Sequence, residues 1–433
     1  MSDSMPEDDE GKRTSGLKRD VALRHAIAMY LSSIIGPGVL VIPGLAAVIA
    51  GPASLFVWLV LSLASYPLAF TFASLATRSP LSGGIYSFTK EGLGQMYANA
   101  VGWLFAFGYI VGTPAATLIA GYYVAYTFSM NKALVFIVAA AMVLASLGIN
   151  YRGVLFSGRI QLVVTALMVG LLVSAVILSI PYVRLDNFGG TSVGIGPLGV
   201  AAALIVWSYF GYENVPNVAE EFKDPKRDFQ RSVVLSVIIS GALYMLVSFS
   251  VIGTGVYTSG GSDAPFASLM SLLLGRYGEV ATMVIALIII FGTVNAYTTG
   301  ISRVIYAAAR DGGFPLSMSR INHRTGVPVT AIIAITVGSV VSMLVFYSFD
   351  VNLQTILLAS NGIVLTIYVF GAAASIRLLK VSGVTRLFPW FSLALPLMLL
   401  PFVGYILGVV LLVVAASFAY SILKGRRTNS GNS

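Results

Sequence analysis

Apolar runs of about 20 residues recur between residues 26 and 423, separated by short loops that collect most of the chain's Lys and Arg. That length is what an α-helix needs to cross the hydrocarbon core of a bilayer. Backbone N–H and C=O groups in hydrocarbon must be paired within their own segment, so runs of this kind are read as spanning helices. With 57% hydrophobic and only 10% charged residues in 433, against roughly 25% charge in soluble domains, no water-soluble fold hides so much apolar surface. The sequence predicts an all-α membrane protein.

Twelve spans are expected, near residues 26–50, 54–77, 98–128, 133–149, 158–181, 198–221, 231–257, 278–309, 328–347, 353–377, 387–402 and 404–423. With the N-terminus in the cytoplasm, the outside loops hold only Lys132, Arg184 and Arg276 of the 26 Lys and Arg, as the positive-inside rule requires. Both termini are then cytoplasmic, in the cell membrane, and the net charge of +9 reflects topology rather than nucleic-acid binding. The first 24 residues are polar and mixed in charge, so no cleavable signal peptide is read there, and residues 1–22 are expected to form a disordered tail. Cysteine is absent, which removes disulfides, thiol nucleophiles and Cys-ligated metals.

Gly and Pro interrupt the apolar pattern at Ile34-Ile35-Gly36-Pro37-Gly38 in span 1 and from Phe210-Gly211-Tyr212-Glu213 to Pro216 in span 6. Spans 1 and 6 open successive groups of five. Five is odd, so the second group enters the membrane from the opposite face, the arithmetic of an inverted repeat. The expected organisation is residues 23–190 and 191–382 as the two repeats, 383–424 as two added helices, and 425–433 as a cytoplasmic tail. Irregular backbone at membrane depth survives where protein or a cavity satisfies it, so the two breaks are expected to line a site. The plain alternative is that Gly and Pro only kink the helices or let them pack closely.

At the first break, Pro37 lacks an N–H and a new half-helix is expected from Gly38. Its first N–H groups, from Gly38 through Val39 to Leu40, carry the positive end of a helix dipole and suit a carboxylate. The carbonyls ending the preceding half-helix at Ile34 and Ile35 suit an ammonium group or a sodium ion. Glu213 is the acidic residue read deepest in a span, where a charge costs about 2.5 to 3.5 kcal/mol. It is read either as a proton-exchanging coupling and gating group or as a cap on loose backbone donors. Trp207 and Phe210 precede it at helical spacing and are read as pocket walls, or else as packing. Phe105, Tyr109, Phe291 and Asn295 are further candidate walls. The charge-dense stretch Glu220–Arg231, His25 and His323 are read as cytoplasmic surface.

These residues resemble the amino acid-polyamine-organocation (APC) superfamily of permeases through four motifs. They are Gly36-Pro37-Gly38-Val39, Pro80-Leu81-Ser82-Gly83-Gly84-Ile85-Tyr86, the run Phe210 to Arg227, and Ser302-Arg303 through Arg310-Asp311-Gly312-Gly313-Phe314-Pro315. The nearest type is the bacterial exporters of methionine and branched-chain amino acids. The resemblance implies the LeuT-like fold, a 5+5 inverted repeat with broken helices 1 and 6. It also implies substrate binding around Ile34 to Val39 and Phe210 to Tyr212, an aromatic cover at Trp207, and proton-linked conformational change at Glu213. Pro37 departs from the family's usual Gly-Ser-Gly or Gly-Thr-Gly, and Met168 stands where several proton-coupled relatives have a lysine. Thr298, Thr299 and Ser302 fall where sodium-coupled relatives place hydroxyl ligands.

The reading is a secondary active transporter, symporter or antiporter, that carries neutral, apolar amino acids by alternating access. It is proton-linked or an exchanger, with sodium the less favoured ion. No cofactor, resident metal or nucleic-acid partner is expected. Carriers of amines, polyamines or other organic cations use the same fold but call for further buried carboxylates. A non-transporting sensor would need a sizeable soluble appendage, and an enzyme a nucleophile with its base or a metal constellation. Neither is legible, nor is an ATP-binding GxxxxGK[ST] motif.

Overall fold

The computed structural model describes residues 34–78, 84–153, 158–189, 193–211, 225–258, 263–322 and 324–430, with a few single positions before residue 34. Among them, thirteen α-helices and no strand are found. They are α1 (Gly38–Ala50), α2 (Ser54–Arg78), α3 (Gly84–Leu93), α4 (Gln95–Phe128), α5 (Lys132–Tyr151), α6 (Gly158–Ser179) and α7 (Ile195–Ile205). Then follow α8 (Pro225–Thr254), α9 (Pro265–Arg310), α10 (Val329–Ser348), α11 (Leu353–Leu378), α12 (Phe388–Leu399) and α13 (Ile406–Ser430).

Ten helical stretches among the described residues are long and apolar enough to cross a membrane, fewer than the twelve expected. Both breaks contribute to the difference. The stretch Gly38–Leu75 joins the second half of span 1 to span 2, and span 6 is represented by a shorter apolar helix, Ile195–Tyr209. Other boundaries shift for local reasons. The helix α9 starts at Pro265 rather than near 278, because two helices run together across a kink at Gly275 (φ 57°, ψ −144°). The helix α13 continues to Ser430, past the expected end of span 12.

Helix ends follow the local chemistry. Asn131 and Asn352 cap α5 and α11, accepting from Leu134 N at 3.1 Å and Thr355 N at 2.8 Å. The helix α4 is the central mast and packs against α3, α5, α9, α10, α11 and α13. Gly108 and Gly112 put α4 close to α11, since a Cβ at Gly112 would come within 2.7 Å of Ser360 Oγ. Small residues four apart are the usual device for such approach between membrane helices.

Candidate functional site at the two helix breaks

The chain leaves the helical conformation after Ile34. The N–H of Ile35 donates to Leu31 O at 2.8 Å, and that of Gly36 turns back to Ile34 O at 2.9 Å. Pro37 (φ −60°, ψ −19°) leads into α1 with no side-chain cap on the new helix. This N-terminus is buried: Ile34 and Ile35 are 3% exposed and Val39 1%. First-turn N–H groups have no intrahelical partner, so Gly38 and Val39 present donors there. The expected break at Gly36-Pro37-Gly38 is found.

In span 6, α7 tightens into a 3₁₀ turn over Val206–Tyr209, and Phe210 then becomes extended (φ −78°, ψ 146°). Gly211 follows at φ 125°, a conformation that favours glycine. Phe210 is buried, with its ring 5.0 Å from that of Tyr368 on α11, and Trp207 is half-buried. Tyr212 and Glu213 lie outside the described residues, as do Pro80 to Gly83, His25, His323 and the segment 212–224.

The two breaks meet. A Cβ added to Gly38 would stand 3.0 Å from Ser208 Oγ and 3.5 Å from Ser208 Cα. From α8, the hydroxyl of Tyr244 lies 2.9 Å from Ile34 O and 3.0 Å from Ser208 O, so one donor is shared by both interrupted backbones. The Tyr244 ring is fully buried and packs at 5.5 Å on Trp58 and 5.4 Å on Tyr209. Tyr209 OH lies 2.6 Å from Ser62 Oγ, which donates to Trp58 O at 2.8 Å. On the far side, Tyr123 OH donates to Leu40 O at 2.6 Å. Ser208 Oγ and Trp58 Nε1 are buried here with no hydrogen-bond partner.

Other expected residues fall into a second cluster. Tyr109 OH lies 2.6 Å from Thr298 Oγ1, which also approaches Ser146 Oγ at 3.0 Å. Asn150 donates to Asn295 Oδ1 at 2.7 Å and accepts from Thr299 Oγ1 at 2.6 Å. Ser302 donates to Thr299 O at 3.0 Å. Thus Tyr109 and Asn295, read as pocket walls, and Thr298 and Thr299, read with Ser302 as candidate sodium ligands, belong to a polar seam tying α4, α5 and α9. Phe105 and Phe291 are half-buried and pack against the core, and Met168 is fully buried on α6. No group of three or more His, Cys, Asp or Glu side chains suited to a metal occurs among the described residues.

The motif after span 8 fastens several helices together. Asp311 takes Lys90 Nζ at 2.7 Å and Tyr86 OH at 2.8 Å, Trp103 Nε1 donates to Gly313 O at 2.8 Å, and Lys424 Nζ to Gly312 O at 3.1 Å. Burial pushes the Tyr86 phenol well up, and Asp311 adds to the shift. Sequence reasoning missed Ser208, Tyr244, Trp58, Tyr123, Ser146 and Asn150. Their one signal is a polar or aromatic side chain inside an apolar span.

Residues 22–429 match the family model described as "Amino acid permease". The chain is 30% identical over 407 residues to the L-methionine/branched-chain amino acid exporter YjeH of Escherichia coli (strain K12), covering 90% of this chain and 93% of that protein. It is 29% identical over 364 residues to the amino acid permease YecA of Bacillus subtilis (strain 168), covering 84% and 86%. The branched-chain amino acid permease BcaP of the same bacterium is 28% identical over 348 residues, covering 73% of each. With ten membrane-length helices among the described residues and a match that runs over nearly its whole length, this chain belongs to the amino acid permease family of the APC superfamily.

Proposed function

We propose that this chain is a secondary active transporter of neutral, apolar amino acids in the cell membrane, working by alternating access around the two helix breaks. The observation that carries the reading is the meeting of a buried, uncapped α1 N-terminus with the carbonyl ends at Ile34 and Ser208. Donors for a carboxylate then lie beside the carbonyl end of the preceding half-helix, the pairing of opposite dipole ends that a zwitterion calls for. Apolar and aromatic neighbours, Val39, Phe210 and Trp207, favour an apolar side chain. Two of the relatives carry branched-chain amino acids by name, which supports the substrate class.

In this reading the chain has twelve spans in a 5+5 inverted repeat with two added helices, and both termini are cytoplasmic. The half-helices rock against the scaffold of α4, α5 and α9, whose polar seam keeps it rigid. Glu213 takes up and releases the coupling proton, or the protein exchanges one amino acid for another.

The test is uptake of radiolabelled leucine and methionine into proteoliposomes, with and without a pH gradient, for the natural chain and Glu213→Gln. Saturable uptake, stimulated by the gradient and lost in the variant, is expected. Absence of flux from folded protein would overturn the substrate class. Flux indifferent to the gradient and to the variant would leave exchange in place of proton coupling.

A further inference from the structure

Resting on that reading, we infer that Ser208, from the second break, supplies a hydroxyl donor to the substrate carboxylate at the N-terminus of α1. Two independent observations meet at this point. The first is the helix end: α1 is 13 residues long, buried at its start, and without a side-chain cap. Pro37 has no N–H, so the donor ring of this end begins only at Gly38 and is one member short.

The second is Ser208 itself. Its side chain is 2% exposed, and its Oγ has no hydrogen-bond partner. A serine in a helical or 3₁₀ segment at membrane depth ordinarily donates to a carbonyl three or four residues back, as Ser62, Ser174 and Ser339 do here. Ser208 makes no such bond. Its Oγ instead lies 3.0 Å from the Cβ position of Gly38, beside the first free N–H of α1.

The residue is held in place by its own carbonyl, which lies 3.0 Å from Tyr244 OH, so the hydroxyl is fixed while remaining uncommitted. An unpaired buried hydroxyl destabilises a fold, and a carboxylate that accepts from it offsets that cost. The seat then comprises the N–H groups of Gly38 and Val39 and the Ser208 hydroxyl, drawn from both repeats. Gly38 is needed there because any larger residue would press on Ser208.

The test compares binding of tritiated L-leucine and of L-leucinamide, which keeps the amine and side chain but lacks the carboxylate, to purified full-length protein. Ser208→Ala is expected to weaken leucine about tenfold, the effect of losing one charge-assisted hydrogen bond, and to leave leucinamide unchanged. Ser208→Thr is expected to retain most leucine affinity. Because the hydroxyl has no hydrogen-bond partner within the protein, Ser208→Ala is expected to melt no lower than the natural chain. Leucine binding unaffected by Ser208→Ala, or leucine and leucinamide weakened alike, would overturn the assignment while the transport reading stands. Leucinamide bound but leucine refused by the natural chain would overturn the carboxylate seat and favour an amine carrier. Binding of neither would overturn both readings.

Discussion

A single hydroxyl on Tyr244 donates to carbonyls of both interrupted backbones. Removing it as Tyr244→Phe leaves the ring in its fully buried slot and deprives Ile34 O and Ser208 O of their shared donor. Loss of such a buried bond costs about 1–3 kcal/mol. The variant should therefore melt earlier in detergent, with faster hydrogen exchange at Ile35 and Gly36 than at α4; unchanged exchange at the break would refute the role. Asp263, in the loop before α9, gives a pH signature. Burial raises its carboxyl above the usual 3.8. The folded protein then binds the proton more tightly than the unfolded chain, so the contribution to stability is present at low pH. It is lost as pH rises from 3.8 through the raised folded value. Asp263→Asn should accordingly be more stable than the natural chain at neutral pH, with the difference vanishing in acid. A melt series against pH checks this, and a difference that persists in acid would refute it.

At the scale of elements, the breaks were legible in the sequence and the seam was not. Gly36-Pro37-Gly38 announces itself because Pro37 removes an N–H that a continuous helix needs. Nothing comparable marks the link between Asn150 and Asn295, whose partners stand 145 residues apart in apolar runs. Serine and threonine in spans mostly bond to their own helix, as Thr117 does to Thr113 O, so a cross-helix hydroxyl such as Thr298 carries no distinguishing mark. Of the residues readable as ion ligands, Thr298 bonds to Tyr109 on α4 and Thr299 to Asn150 on α5, while Ser302 bonds to Thr299 O on its own helix. The seam makes a strong prediction. Asn150→Ala would orphan the Asn295 amide oxygen and release the Thr299 hydroxyl, at a cost of about 2–4 kcal/mol by the scale for unsatisfied buried groups. A large drop in melting temperature is expected, against a loss of about 1 kcal/mol for removing the exposed cap in Asn352→Ala. Equal losses in the two would mean that the seam is no more than local capping.

At the scale of the whole molecule, the loops are fastened in two separate sets. Lys132 pairs with Asp350 across the loops after α4 and α10, while Lys90, Asp311 and Lys424 join α3, the end of α9 and α13. In the twelve-span reading five crossings separate Lys132 from Asp311, and an odd number puts the first set on the face opposite the second. Legibility was highest at this scale, because spanning length is summed over many residues. It failed at the ends of spans, where Gly275 kinks α9 and α13 runs on to Ser430. The cysteine-free sequence makes orientation directly testable. Asp186, after α6, and Ser317, after α9, are both exposed and lie in loops of opposite expected sidedness. In intact cells a membrane-impermeant maleimide should label Asp186→Cys and spare Ser317→Cys, and permeabilisation should make the two equal. The reverse pattern would invert the whole assembly, exchanging the faces from which the α1 N-terminus and the Glu213 segment are reached. Labelling of both in intact cells would mean that an even number of crossings separates them, and the inverted repeat would fall with it.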